Sequence, residues 1–163
     1  MSRRSFFRYL ASKDDLVLGK YDAMADQLAE ALQARPADEP LWDSLRRVFD
    51  GVVDYATDPD TAQRMAAMER IVQTNGALRA SYLQRLDAIQ GPLVDAARDR
   101  ARAAGHAWDD ADPAPAAAVG AAFACMRTAN ELAASTGRDL SELLDETFGR
   151  LAAIVSAPTG PRT

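Results

Sequence analysis

Four basic side chains stand ahead of the first acid in the chain: Arg3, Arg4, Arg8 and Lys13 all precede Asp14. They are interleaved with Phe6, Phe7 and Tyr9 in a stretch reading Ser-Arg-Arg-Ser-Phe-Phe-Arg-Tyr-Leu-Ala-Ser-Lys-Asp-Asp-Leu over residues 2–16. Ser2 is placed to cap a short helix ending near Leu10. A tight turn follows, and Lys13 then falls in the first turn of a second helix. The chemistry suits a helix laid in the DNA major groove. Arginines near its N-terminus reach base edges, where a guanidinium pairs with guanine through two hydrogen bonds. Aromatic and lysine groups at its far end reach phosphates and fix orientation. The same pattern also suits an amphipathic N-terminal helix packed on the body.

Other chemistry finds little footing. His106 is alone in a polar loop and reads as solvated. Cys125 is a single cysteine in a hydrophobic helix without a histidine partner in sequence, which suits a buried inert thiol better than a nucleophile. One cysteine also excludes an internal disulfide framework and a cysteine cluster for zinc. Asp109, Asp110 and Asp112 share a loop, but that loop lacks the glycine and terminal glutamate of a calcium site. Glycine-rich phosphate motifs are absent. No enzyme activity, cofactor or metal is expected. No run of about 18 apolar residues exists to span a membrane. No apolar segment with a small-residue cleavage site follows the basic start, so the chain is expected in the cytoplasm.

Charge is unevenly spread. The net charge is −5, yet four of the 19 basic residues come before Asp14, leaving 15 basic against 24 acidic residues, or −9, for the remainder. A basic tip on an acidic body suits a protein that touches phosphates at one end, although a basic tail without function would look alike. Of the 19 basic residues 17 are Arg, a bias that, with the alanine excess, points to a GC-rich gene.

The elements that must position these residues are helical. Alanine is abundant, aromatics make up 7%, and β-branched residues are scarce, so an all-α fold is predicted. Apolar spacing and caps divide the chain into about seven helices. The second starts at the capping-box pattern of residues 12–15 and runs to about Ala34, burying Leu16, Tyr21, Met24, Leu28 and Leu32. Pro36 to Pro40 ends it and opens a third helix through Leu45, Phe49, Val52 and Val53 to about Ala56. Asp58-Pro59 starts a fourth, which presents Met65, Met68 and Val72 and stops at Asn75-Gly76. A long fifth segment runs from Ala77 to about Ala104, and Gly91-Pro92 is expected to kink or break it. Gly105 to Pro115 reads as a polar loop. Two helices close the chain, from about Ala116 to Ser135 and from about Leu140 to Ala157. The tail over 158–163 is expected to be disordered.

Residues 2–16 resemble the recognition helix and following turn of TetR-family regulators. The family pattern is met by Ser2, Ser5, Phe6, Phe7, Arg8, Tyr9, Lys13, Asp14 and Leu16. It departs at Ser5 for Thr, Leu10 for Phe and Ala11 for Pro or Gly. The later helices are similar in number, length and order to the family's ligand-binding body, and Arg127 to Ala133 with Gly137 to Leu144 resembles its last two helices. The resemblance implies that Arg3 and Arg4 face base edges, that Ser5, Phe7, Tyr9 and Lys13 contact backbone or neighbouring bases, and that Phe6 and Leu10 pack inside the head. It also implies two further helices before the recognition helix, whereas this sequence begins on the recognition helix's N-cap. Residues 1–15 are therefore expected to be a remnant of a helix-turn-helix head, and Met1 is expected not to be the natural start. Residues 16–157 are expected to form the ligand-binding and dimerisation domain, and 158–163 a disordered tail.

Within that body the penultimate helix carries two stripes. Ala118, Ala122, Cys125, Ala129 and Ala133 are small and allow close helix approach. Val119, Phe123, Met126 and Asn130 form a larger stripe. The last helix offers Leu140, Leu144, Phe148, Leu151 and Val155. By resemblance these two helices pair with a second copy, with Ala122, Cys125, Ala129, Leu144, Phe148 and Leu151 in the interface; ordinary packing within one chain would use the same residues. Phe49, Met65, Met68, Leu86, Phe123 and Met126 suit the wall of an apolar pocket, since methionine adapts its shape, or a filled core. Asn130 is the candidate polar contact for a ligand. The expected function is a homodimeric regulator, a repressor by preference, that binds a double-stranded DNA operator when its head is complete and responds to a small apolar effector; the 163-residue chain by itself is expected to bind DNA weakly and without sequence preference. The alternative is a helical dimerisation or ligand-binding module that does not bind DNA.

Overall fold

The computed structural model describes residues 24–58, 76–105, 108–109 and 111–156, and at 55–57, 77–83 and 85–86 the backbone alone. All regular structure among the described residues is α-helical, as the composition predicts. Helix α1 covers 24–33. Helices α2 (Leu41–Val48) and α3 (Asp50–Thr57) follow, then α4 (Gly76–Ala103), α5 (Ala114–Thr136) and α6 (Leu140–Ser156). The predicted helix at Ser2–Leu10, the capping box at residues 12–15 and the fourth helix through Met65, Met68 and Val72 lie outside the described residues, as does the tail over 158–163.

Local chemistry sets the observed ends. Pro40 stands before α2, and its carbonyl accepts from the Ser44 amide at 3.0 Å. The predicted third helix is two helices, divided at Phe49. There the backbone stays right-handed (φ −76°, ψ −8°) but tightens, the Phe49 amide bonding back to Arg46 at 3.3 Å. Pro113 precedes α5 and Pro115 sits in its first turn, where a missing N–H costs nothing, so α5 starts slightly earlier than its apolar spacing suggests. Gly137 ends α5 at φ 69°, a left-handed conformation that side chains other than glycine's strain to adopt. Two residues on, the Asp139 carboxylate accepts from the Glu142 amide at 2.9 Å and caps α6.

The expected break at Gly91-Pro92 is overturned. Helix α4 runs unbroken for 28 residues with Pro92 inside it. Ala88, whose carbonyl loses the amide that Pro92 lacks, is exposed, as is Gly91. Water can serve that carbonyl, while Ile89, Leu93, Ala96 and Ala97 on the other side are buried and hold the helix to the core.

The core is one apolar cluster. Leu28 and Leu32 of α1, Leu45 and Val48 of α2, Ile89 and Leu93 of α4, Val119 and Met126 of α5, and Leu143, Leu144 and Phe148 of α6 meet in it. Helices α5 and α6 form an antiparallel hairpin with the largest contact among the described helices, and α5 also packs on α4 and α2. No described helix is long and apolar enough to cross a membrane.

Candidate effector pocket and dimer face

Four aromatic rings run through the core. Trp42 of α2 tilts against Phe148 of α6 at 4.6 Å between centroids, and its indole N–H donates to the Phe148 carbonyl at 3.4 Å. Phe148 meets Phe49 edge-on at 6.3 Å, and Phe49 meets Phe123 of α5 edge-on at 5.2 Å. These arrangements place ring edges on ring faces, the favoured geometry. Two of the predicted pocket residues, Phe49 and Phe123, are therefore in direct contact, and Met126 is buried one turn further along α5. Leu86 lies on α4, where the backbone alone is described, and Met65 and Met68 lie outside the described residues.

Asn130 continues the Val119–Phe123–Met126 stripe by spacing but is exposed. The stripe leaves the core toward the C-terminal half of α5, so the carboxamide stands at the surface of the single chain.

The residues predicted for the dimer interface also take a different place. Ala122, Ala129 and Leu144 have no exposed surface in the single chain, and Cys125 and Phe148 are buried with them. Leu151 is half-buried against the same cluster. Their surfaces are already covered by helices of their own chain. A helix with small residues on several faces offers two stripes, and the second faces solvent: Ala117, Ala124, Thr128 and Leu132 are exposed and Ala121 is half-buried. Leu132, Ile154 and Val155 are large apolar side chains left exposed, Ile154 at 71% and Val155 at 77%.

Burial pushes the Cys125 thiol above its ordinary pKa, with the Thr147 hydroxyl acting the other way. A thiol held protonated and covered is a poor nucleophile. The Asp109 and Asp112 carboxylates are occupied as turn acceptors, from the Ala111 amide at 3.0 Å and the Ala114 amide at 2.8 Å. Among the described residues no group of three or more His, Cys, Asp or Glu is arranged to hold a metal.

Two polar features escaped sequence reasoning. Arg46 donates to Asp50 and to Asp145, each at 2.6 Å, at the rim of a shallow groove of about 200 Å³ lined by Trp42, Phe148, Gly149 and Ala152. Arg35, Glu39, Ser44 and Arg100 meet at the turn between α1 and α2. The spacing of four in Arg35–Glu39 and Arg46–Asp50 is a sequence signal for each pair. Nothing local marks the long-range partners Asp145, Phe148 and Arg100.

Residues 39–156 match the TetR-type family model described as the MftR C-terminal domain. A curated relative is the HTH-type transcriptional regulator TcmR of Streptomyces glaucescens, 34% identical over 96 residues that cover 56% of this chain and 42% of that protein. The match thus spans less than half of the relative's length. No solved structure matches. Covering more than half of the sequence, the family match shows that the chain belongs to the TetR family of transcriptional regulators.

Proposed function

We propose that this chain is a ligand-responsive, homodimeric DNA-binding regulator, acting as a repressor whose small apolar effector lodges between the middle helices. The observation that supports it most is the family body over residues 39–156, which follows a basic segment with the residue order of a recognition helix. In this reading Arg3 and Arg4 take base edges, and Ser5, Phe7, Tyr9 and Lys13 hold backbone or neighbouring bases. Phe49, Phe123 and Met126 form one wall of the effector site, and Met65, Met68 and Leu86 complete it. The effector prefers one of two arrangements of the paired heads and so lowers operator affinity. The protein works in the cytoplasm and performs no catalysis.

The two copies meet through the outer face of the α5–α6 hairpin. Ala117, Ala121, Ala124, Thr128 and Leu132 recur along α5 at spacings of three and four, so a partner helix can approach closely. Ile154 adds apolar area from α6. This face replaces the buried stripe of Ala122, Cys125 and Ala129.

Selection of bound sequences from a randomised duplex pool by a form carrying a complete helix-turn-helix head, followed by anisotropy titration of the enriched duplex, tests DNA recognition. The expected product is a palindrome whose affinity falls steeply with salt. Replacing Arg3 and Arg4 by Ala should abolish the sequence preference. No enrichment, or enrichment unchanged by both substitutions, overturns the reading. Sedimentation velocity tests the interface: Ala124→Glu should give a folded monomer, and an intact dimer would refute this face.

A further inference from the structure

Three elements converge on the turn over residues 34–40. Arg35 grips Glu39 with two prongs, Nε to Oε2 at 2.8 Å and the terminal nitrogen to Oε1 at 2.6 Å. Ser44, which has no exposed surface, donates its hydroxyl to Glu39 Oε2 at 2.7 Å and so ties the turn to α2. Arg100, in the last turn of α4, donates through one terminal nitrogen to the Pro36 carbonyl at 2.5 Å and the Glu39 carbonyl at 3.4 Å. Its Nε is buried without a hydrogen-bond partner. A buried donor left unpaired is unfavourable, so the guanidinium is held in place by its other contacts.

Two of these contacts are carbonyls of the turn itself. Arg100 therefore does not merely neutralise a charge; it fixes the path of the backbone between α1 and α2. Leu86, proposed for the effector wall, and Arg100 lie on the same unbroken helix, about 21 Å apart along its axis. The basic segment of residues 3–13 precedes α1 in the chain.

We infer that Arg100 is a positioning residue that fastens the junction of α1 and α2 to the end of α4, so that α1, which follows the basic segment, takes its direction from α4. The inference rests on the reading of that segment as the DNA contact, because only then does the direction of α1 bear on function. A guanidinium suits the task because one terminal nitrogen carries two N–H groups, one for each carbonyl, on a flat head.

Hydrogen exchange of the full chain, read by mass spectrometry, tests the fastening without DNA. Arg100→Ala should speed exchange in peptides within 24–40 by about tenfold, from the loss of charge-assisted bonds, and leave 114–156 unchanged. Arg100→Lys should fall between the two. Unchanged exchange in 24–40, or an equal rise in 114–156, overturns the fastening. A second arm, run on parent and variant forms that carry a complete helix-turn-helix head, compares anisotropy titrations of a selected operator and a random-sequence duplex at one salt concentration. Arg100→Ala should weaken operator binding several-fold and leave random-duplex binding unchanged, since it removes no DNA contact. Equal operator affinity in Arg100→Ala and the parent protein overturns the positioning role. Failure of the parent protein to bind either duplex overturns the DNA reading beneath it, and the exchange arm still decides whether the fastening exists.

Discussion

Removing the Phe49 ring should cost more stability than any other single truncation in the aromatic chain. The residue is 1% exposed and sits where α2 ends and α3 begins. Its ring meets Phe123 at 5.2 Å and Phe148 at 6.3 Å, bridging α5 and α6. Truncating a buried Phe to Ala costs about 3–5 kcal/mol through lost transfer energy and the cavity left behind. Each edge-on ring pair contributes about 0.5–1.5 kcal/mol. Because the generic cost already includes typical neighbours, Phe49→Ala should lie near its upper end, about 4–5 kcal/mol. A domain of ordinary stability has only about 5–15 kcal/mol, so the variant should be marginal. Phe49→Leu keeps most of the volume and should lose less than about 2 kcal/mol. Urea unfolding followed by far-ultraviolet circular dichroism reads both, at one fixed protein concentration because a dimer's midpoint depends on it. A loss below about 1 kcal/mol for Phe49→Ala would show that the ring does not bridge the helices as described.

Gly137→Ala places a side chain on a residue with φ 69° and should lower the melting temperature by about 3–6 °C by calorimetry, from a left-handed penalty of about 1–2 kcal/mol. The Glu39 carboxyl is held down to about 2 by hydrogen bonds from Arg35 and Ser44, against an ordinary 4.5. A depressed carboxyl stabilises above its unfolded value and loses that contribution as pH falls through its folded one. The stability gap between the parent and Glu39→Gln should therefore be constant above about pH 5 and shrink steadily toward pH 2, as followed by urea titrations at each pH. Cys125 should react with iodoacetamide at least about tenfold slower in the folded protein than in urea at pH 8, because the thiol is covered and its ionisation suppressed.

Helix ends were legible because their signals are local. Pro36 to Pro40 act on the backbone within a few residues and the helices end and begin around them, whereas Pro113 and Pro115, read as loop, stand at and just inside the start of α5. Faces were less legible where both sides of a helix carry small residues. In α5 the stripe of Ala118, Ala122 and Ala129 and the stripe of Ala117, Ala121 and Ala124 have nearly the same hydrophobicity. Contacts with α4 and α2 decide which of them turns inward. The Pro92 expectation weighed one lost hydrogen bond and a ring clash against no packing. The buried Ile89, Leu93, Ala96 and Ala97 reverse that balance. Asn130 is exposed because beyond Met126 the covered face of α5 shifts to the side of Ala129 and Ala133, and nothing local in the sequence marks that shift. Trp42 and Phe148 are 106 positions apart, so only the fold brings their rings together.

The unbroken α4 has a mechanical consequence. At 1.5 Å per residue its 28 residues make a rod about 42 Å long. Such a rod converts small angles into large displacements: a tilt of about 5° at one end moves the other by about 4 Å, some two-thirds of a helical turn. The missing amide at Pro92 notches the rod on its solvent side and leaves the core side intact. Bending stiffness is therefore lowest in one direction, with the notch opening outward. A helix broken at Gly91 would dissipate a push at its first half within a loop. An unbroken helix carries a displacement of one end through to the other.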